Sequence, residues 1–79
     1  MVLADLTAEE VTLLDRLRAL RTTLARRDKV PAYVVFADRT LREMARARPR
    51  TQGALGDVHG VGPMKLEKYG ADFLGILRE

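Results

Sequence analysis

A pair of glycines, Gly60-Val61-Gly62, followed by Lys65 and Lys68, is the first place in this sequence where residue type and spacing suggest chemistry. Glycines let a backbone approach a bulky anion, and the free amides at the start of a following helix point at it. Lys65 and Lys68 would add positive charge to a phosphate held there. A tight interhelical turn also needs glycine for its backbone angles, and both readings stand at this level. A second set is Arg39, Arg42 and Arg46. At about 100° per residue they fall within a narrow arc of a helix, roughly opposite Leu41, Met44 and Ala45. Such a row can follow a polyanion, releasing counterions at each contact. It is equally the solvated face of a surface helix. The third set is Tyr33 beside Lys29, with Phe36 nearby. An exposed tyrosine among cations is a stacking platform for an unpaired base. The alternative is a ring packed over the core with only its hydroxyl wet. Phe36 is assigned to the core and Tyr33 to the surface. His59, just before the glycine turn, is either a phosphate contact or an incidental surface histidine.

The missing residue types are also informative. The chain has no cysteine and no serine, and a single histidine. Disulfides, thiolate metal sites and histidine clusters are therefore excluded, and no metal site is expected. There is no nucleophile–base pair and no phosphate loop of the GxxxxGK type, so no catalytic residue is assigned and an enzyme is not expected. No apolar run approaches the roughly 20 residues that span a bilayer, and the N-terminus does not read as a signal peptide. A soluble, intracellular protein without membrane contact is expected. With 79 residues, positions 1–79 read as one domain.

The net charge of +3 is unevenly spread. Residues 1–15, with Asp5, Glu9, Glu10 and Asp15, carry −4, residues 16–50 carry +8 and residues 51–79 carry −1. Such asymmetry favours an anionic partner, or oppositely charged surfaces used between domains, in which case Glu9 and Asp15 are the candidate contacts. A merely solvated, arginine-rich surface is the plainer explanation.

Five helical segments must position these groups. Thr7-Ala8-Glu9-Glu10 is a capping box, with Leu6 and Val11 at the hydrophobic staple positions. Leu13, Leu14, Leu17, Leu20 and Leu24 then recur at helical spacing, giving a helix over about 8–27. Its acidic start and basic end follow the helix dipole, so part of the charge asymmetry is structural. Pro31 suits the first turn of a short helix over about 31–35. Tyr33 to Phe36 could read as a strand, but no partner strand exists elsewhere in the chain. Asp38 is the expected N-cap of a helix over about 39–46, which Pro49 ends. Thr51 caps a short fourth helix over about 52–57, weakened by Gly53 and Gly56. Pro63 opens a last helix over about 63–78. Leu66, Tyr69, Phe73, Leu74 and Leu77 keep phase through Gly70, which is read as a close helix contact, with a break and C-cap there as the alternative.

Together these residues resemble a known family. Leu17-Arg18-Ala19-Leu20-Arg21, Val30-Pro31-Ala32-Tyr33-Val34-Val35-Phe36-Ala37-Asp38 and Thr40-Leu41-Arg42-Glu43-Met44-Ala45 are similar to the helicase-and-ribonuclease-D C-terminal (HRDC) domain. So is the ending, Val58-His59-Gly60-Val61-Gly62 with Lys65-Leu66-Glu67-Lys68-Tyr69-Gly70 and Phe73. The resemblance runs from about residue 14 to 78. It implies an all-α, five-helix bundle with a glycine turn like that of helix-hairpin-helix modules. It also implies that the chain is a piece of a larger protein, a bacterial RecQ-type DNA helicase first and a ribonuclease D-type enzyme second. ATP and magnesium would belong to that parent's motor domains, with no cofactor in this domain. The implied role is an accessory, non-catalytic one in DNA repair and recombination. The implied partners are single-stranded or partly single-stranded DNA and the parent's other domains. The isolated domain would be a monomer, and a bacterial parent would be cytoplasmic and nucleoid-associated. In relatives that bind single strands, the tyrosine of the Pro-Pro-Tyr-Val-Val-Phe segment is implicated. That tyrosine is Tyr33 here, with Ala32 in place of the second proline. The fourth helix usually carries acidic residues after its threonine, whereas here it reads Gln52-Gly53-Ala54.

Overall fold

The computed structural model describes residues 6–79, so Asp5 lies outside the described residues. Five helices follow in order: α1 (Ala8–Asp28), α2 (Ala32–Val35), α3 (Asp38–Ala47), α4 (Gln52–Gly56) and α5 (Pro63–Leu77). No strand occurs among the described residues. The fold is the all-α bundle expected.

Helix α1 starts where its capping box dictates. The Glu10 amide donates to Thr7 Oγ1 at 3.1 Å, and the Thr7 amide donates back to Glu10 Oε1 at 3.0 Å. Two otherwise orphaned amides are thereby satisfied. The helix ends in a left-handed residue, Lys29, at φ 57°. The Val30 amide donates to the Ala25 carbonyl at 3.0 Å and the Lys29 amide to that of Arg26 at 3.2 Å, which is the Schellman arrangement. Lysine sits where glycine is usual, and the left-handed conformation costs a side chain about 1–2 kcal/mol.

Helix α2 is a single turn. Pro31 stands just before it, as the N-cap, and not at its first helical position. Asp38 is likewise displaced from its expected role. Ala37 is the N-cap of α3, without a side-chain hydrogen bond, and Asp38 is the first helical residue. The Asp38 carboxylate turns to Arg21 at 2.8 Å and Arg18 at 3.4 Å, because two guanidiniums on α1 outcompete local amides. Thr51 does cap α4, accepting from the Ala54 amide at 3.1 Å.

Helix α5 runs unbroken through Gly70. A Cβ there would lie 3.0 Å from Leu66 Cδ1 and 3.1 Å from Gln52 Oε1, so the glycine lets α4 lie close against α5. Helix α1 packs against α2, α3 and α5. The core between them holds Leu14, Leu17, Phe36, Leu41, Met44, Leu55, Phe73 and Leu77. Phe36 is its aromatic hub, edge-on to Phe73 with centroids 5.0 Å apart and to Tyr69 at 6.2 Å. Arg48, left-handed at φ 48°, closes α3. Its guanidinium donates to the Leu77 carbonyl at 3.3 Å and the Glu79 carbonyl at 2.9 Å.

Candidate nucleic-acid interface

The short α1–α2 connection determines where the stacking candidate sits. A single helical turn between Pro31 and Phe36 must send Val35 and Phe36 inward, and both are fully buried. Tyr33 and Val34 then face out, and Tyr33 is 70% exposed. Its ring is free to lie against a base. Lys29, four residues earlier, is also exposed at the left-handed end of α1.

The lysines of α5 border the same region. Lys65 Nζ lies 5.9 Å from the centroid of Phe36, the residue that ends α2. Lys68 Nζ lies 5.4 Å from the Tyr69 ring and 3.6 Å from Asp28 Oδ2. Asp28 is the last residue of α1, directly before Lys29. The Tyr69 hydroxyl donates to Asp28 Oδ2 at 2.7 Å, tying that end of α1 to α5. Arg27 Nε donates to Asp28 Oδ1 at 3.0 Å. Hydrogen bonds from Arg27 and then Tyr69 hold the Asp28 carboxyl below the usual carboxylate range, outweighing its partial desolvation. Accepting from Tyr69, Asp28 in turn raises that phenol above the ordinary tyrosine range, and desolvation adds to the shift. At Asp38 desolvation alone would raise the carboxyl, but the Arg21 hydrogen bond and the nearby Arg18 and Arg21 charges lower it.

The arginine row of α3 is not one uniform cationic face. Arg39 is exposed, with no ion-pair partner among the described residues. Arg42 is only partly exposed, and its Nε is buried without a hydrogen-bond partner. Arg46 pairs with Glu43 at 2.8 Å and lines a groove with Glu9, Glu10 and Arg48. Helical spacing puts the three on one arc, but neighbouring elements give each a different environment.

The glycine turn has a steric explanation at one of its two glycines. Gly60 has φ +94°, and a Cβ there would lie 2.1 Å from the buried Thr40 Oγ1 of α3. Gly62 is the N-cap of α5 at φ −81°, and a Cβ there would meet nothing within 4 Å. Gly60 is thus required by packing, whereas Gly62 is not. His59 is exposed beside the turn, in a groove with Glu43, Asp57 and Val58. Among the acidic candidates, Glu9 lines a groove with Arg16 and Arg48, and Asp15 is exposed. Sequence reasoning missed the Asp28–Tyr69 contact, because its partners lie 41 residues apart and nothing local links them. No grouping of histidine, aspartate and glutamate that could hold a metal occurs among the described residues, and no described helix is long and apolar enough to cross a membrane.

Comparison with known proteins agrees with this architecture. The HRDC domain family profile matches residues 10–77. The ATP-dependent DNA helicase RecQ of Haemophilus influenzae is 41% identical over 64 residues, which are 81% of this chain and 10% of that protein. The ATP-dependent DNA helicase UvrD2 of Mycobacterium bovis is 44% identical over 66 residues, 84% of this chain and 9% of that protein. The chain therefore spans about a tenth of the length of the helicases it matches, and the matched region is an accessory portion of them. A solved structure, D. radiodurans RecQ HRDC domain 3, aligns with a TM-score of 0.86 and 34% identity, covering 90% of this chain and 93% of that one. With five helices in the same arrangement and the profile spanning nearly all of them, the chain belongs to the HRDC domain family.

Proposed function

We propose that this domain is a non-catalytic module that binds single-stranded or partly single-stranded DNA for a larger RecQ-type helicase. The observation that carries the reading is Tyr33, 70% exposed on a one-turn helix beside Lys29, with Lys65 and Lys68 along the neighbouring helix. Tyr33 stacks on an unpaired base, and Lys29, Lys65 and Arg39 meet the flanking phosphates. Lys68, Arg42 and Arg46 are weaker contributors, because each is paired or partly enclosed. The Gly60–Gly62 turn is a secondary phosphate contact through the amides of Met64 and Lys65, since Pro63 at the start of α5 has no N–H to donate. Affinity is low, in the range of non-specific contacts, roughly 10⁻⁴–10⁻⁶ M. Tethering to motor domains, which hold ATP and magnesium, raises the effective concentration and makes such weak binding useful in repair and recombination. The domain acts as a monomer in a cytoplasmic, nucleoid-associated parent.

Titrating the domain into a fluorescently labelled single-stranded oligonucleotide tests this. Binding falls steeply with salt, and Tyr33→Ala weakens it about 5- to 150-fold, the equivalent of about 1–3 kcal/mol of stacking. Unchanged affinity with intact helical signal removes the stacking role.

A protein-facing reading rests on Asp15, exposed with no ion-pair partner among the described residues. It requires that Asp15→Lys alter the intact parent while the isolated domain shows no affinity for DNA even at low salt. Glu9 suits that reading less well, since Arg16 and Arg48 of its own domain share its groove. A ribonuclease D-type parent would carry the same surface.

A further inference from the structure

The Asp28 carboxylate lies among the cations of the candidate site. Its Oδ2 accepts from the Tyr69 hydroxyl at 2.7 Å and lies 3.6 Å from Lys68 Nζ, while its Oδ1 accepts from Arg27 Nε at 3.0 Å. The carboxylate and its cations differ in mobility. The Asp28 side chain is 18% exposed, while those of Lys68 and Arg27 are 60% and 54% exposed. Tyr69 itself is buried against Phe36 in the aromatic core. The negative charge is therefore anchored to the core, while the two cations beside it reach solvent on flexible stems. A nucleic-acid phosphate arriving at Lys29 and Lys65 finds Lys68 and Arg27 sharing the single negative charge of Asp28.

We infer that Asp28 is an electrostatic brake on this site, holding Lys68 and Arg27 away from an incoming phosphate and so keeping affinity low. The inference rests on the DNA-binding reading above. Anchoring alone does not need the charge, because an asparagine at this position accepts from the Tyr69 hydroxyl through its amide oxygen. A purely structural Asp28 and an electrostatic one therefore give opposite results on neutralisation. For single strands the logarithm of affinity falls with the logarithm of salt by about 0.7 per phosphate contact. Releasing Lys68 adds one contact. Extrapolated from molar salt, where such contacts vanish, that is about eightfold tighter binding at about 50 mM salt and about threefold at about 200 mM.

The test is a double-mutant cycle on the isolated domain, read by anisotropy of a short labelled single strand across a salt series, with circular dichroism on every variant. Asp28→Asn should bind tighter and show a steeper salt slope. Lys68→Gln alone should change affinity less than about twofold, since Lys68 is already engaged, yet cancel the gain in the Asp28→Asn background. Asp28→Asn binding no tighter than wild type, with helical content intact, overturns the brake and leaves the DNA-binding reading in place. Should that variant unfold, Lys68→Gln in the wild-type background decides: a loss of threefold or more means that Lys68 already serves the DNA and overturns the brake. If neither wild type nor Asp28→Asn binds at low salt, the DNA-binding reading fails and takes the brake with it.

Discussion

Replacing Gly60 by alanine tests why the turn before α5 has its shape. Gly60 adopts φ +94°, and an added Cβ would lie 2.1 Å from Thr40 Oγ1, 3.3 Å from Thr40 Cβ and 3.4 Å from Thr40 Cγ2. The positive φ costs a side chain about 1–2 kcal/mol. Thr40 is 4% exposed on α3 and cannot swing into solvent, so the overlap adds an overpacking cost of about 1–3 kcal/mol. The sum, roughly 2–5 kcal/mol, is a large part of the total stability of an ordinary small domain. At about 4–8 °C per kcal/mol for this chain length, the midpoint should fall by about 10 °C or more. Thermal and urea unfolding followed by circular dichroism measure it. Gly62→Ala is the matched control: with open space around it and φ −81°, it should cost no more than about 1 kcal/mol, the penalty of alanine at an N-cap. Thr40→Ala introduced alongside Gly60→Ala removes Oγ1 and Cγ2 and should recover most of the steric part, leaving the backbone cost and the 3.3 Å approach to the Cβ of residue 40. A Gly60→Ala variant as stable as Gly62→Ala would refute the reasoning.

Lys29→Gly relieves a left-handed lysine and removes a candidate phosphate contact, so unfolding should show equal or higher stability, by up to about 1 kcal/mol, while DNA affinity and its salt slope both fall. A variant less stable than wild type would refute the conformational cost assigned to Lys29. The Asp28–Tyr69 contact predicts the pH dependence at both extremes. The folded Asp28 carboxyl is lowered, so its stabilisation is present above the unfolded value of about 3.9 and is lost as pH falls through the folded one. The folded Tyr69 phenol is raised, so its stabilisation is present below about 10 and is lost as pH rises through the folded value. In a Tyr33→Phe variant Tyr69 is the sole remaining tyrosine, and its ultraviolet phenolate titration should lie above the ordinary range and move down on Asp28→Asn. No movement would exclude the hydrogen bond in solution.

The elements legible in the sequence were those governed by neighbouring residues. The capping box at Thr7 and Glu10, the Thr51 cap and the apolar spacing through Gly70 act over three or four residues, and each appears in the fold. Asp38 shows where such reasoning stops. As a capping type it suited the N-cap, but Arg18 and Arg21, on a different helix, draw its carboxylate away and leave Ala37 in that place. The α3 arginines show it again: spacing assigned them one arc, while tertiary packing leaves Arg42 alone of the three only partly exposed, with its Nε buried.

By itself the sequence determined that the chain is all-helical, where α1, α4 and α5 start, which apolar residues face inward, and the family it resembles. Those depend on periodicity and on hydrogen bonds along one segment. Only the tertiary structure decided which cations are free, why Gly60 differs from Gly62, and that Asp28 meets Tyr69 and Lys68 across the α1–α5 junction. Charge pairing and steric overlap act through space at a few ångströms, and residues 40 or so positions apart come within that range only once the bundle has closed.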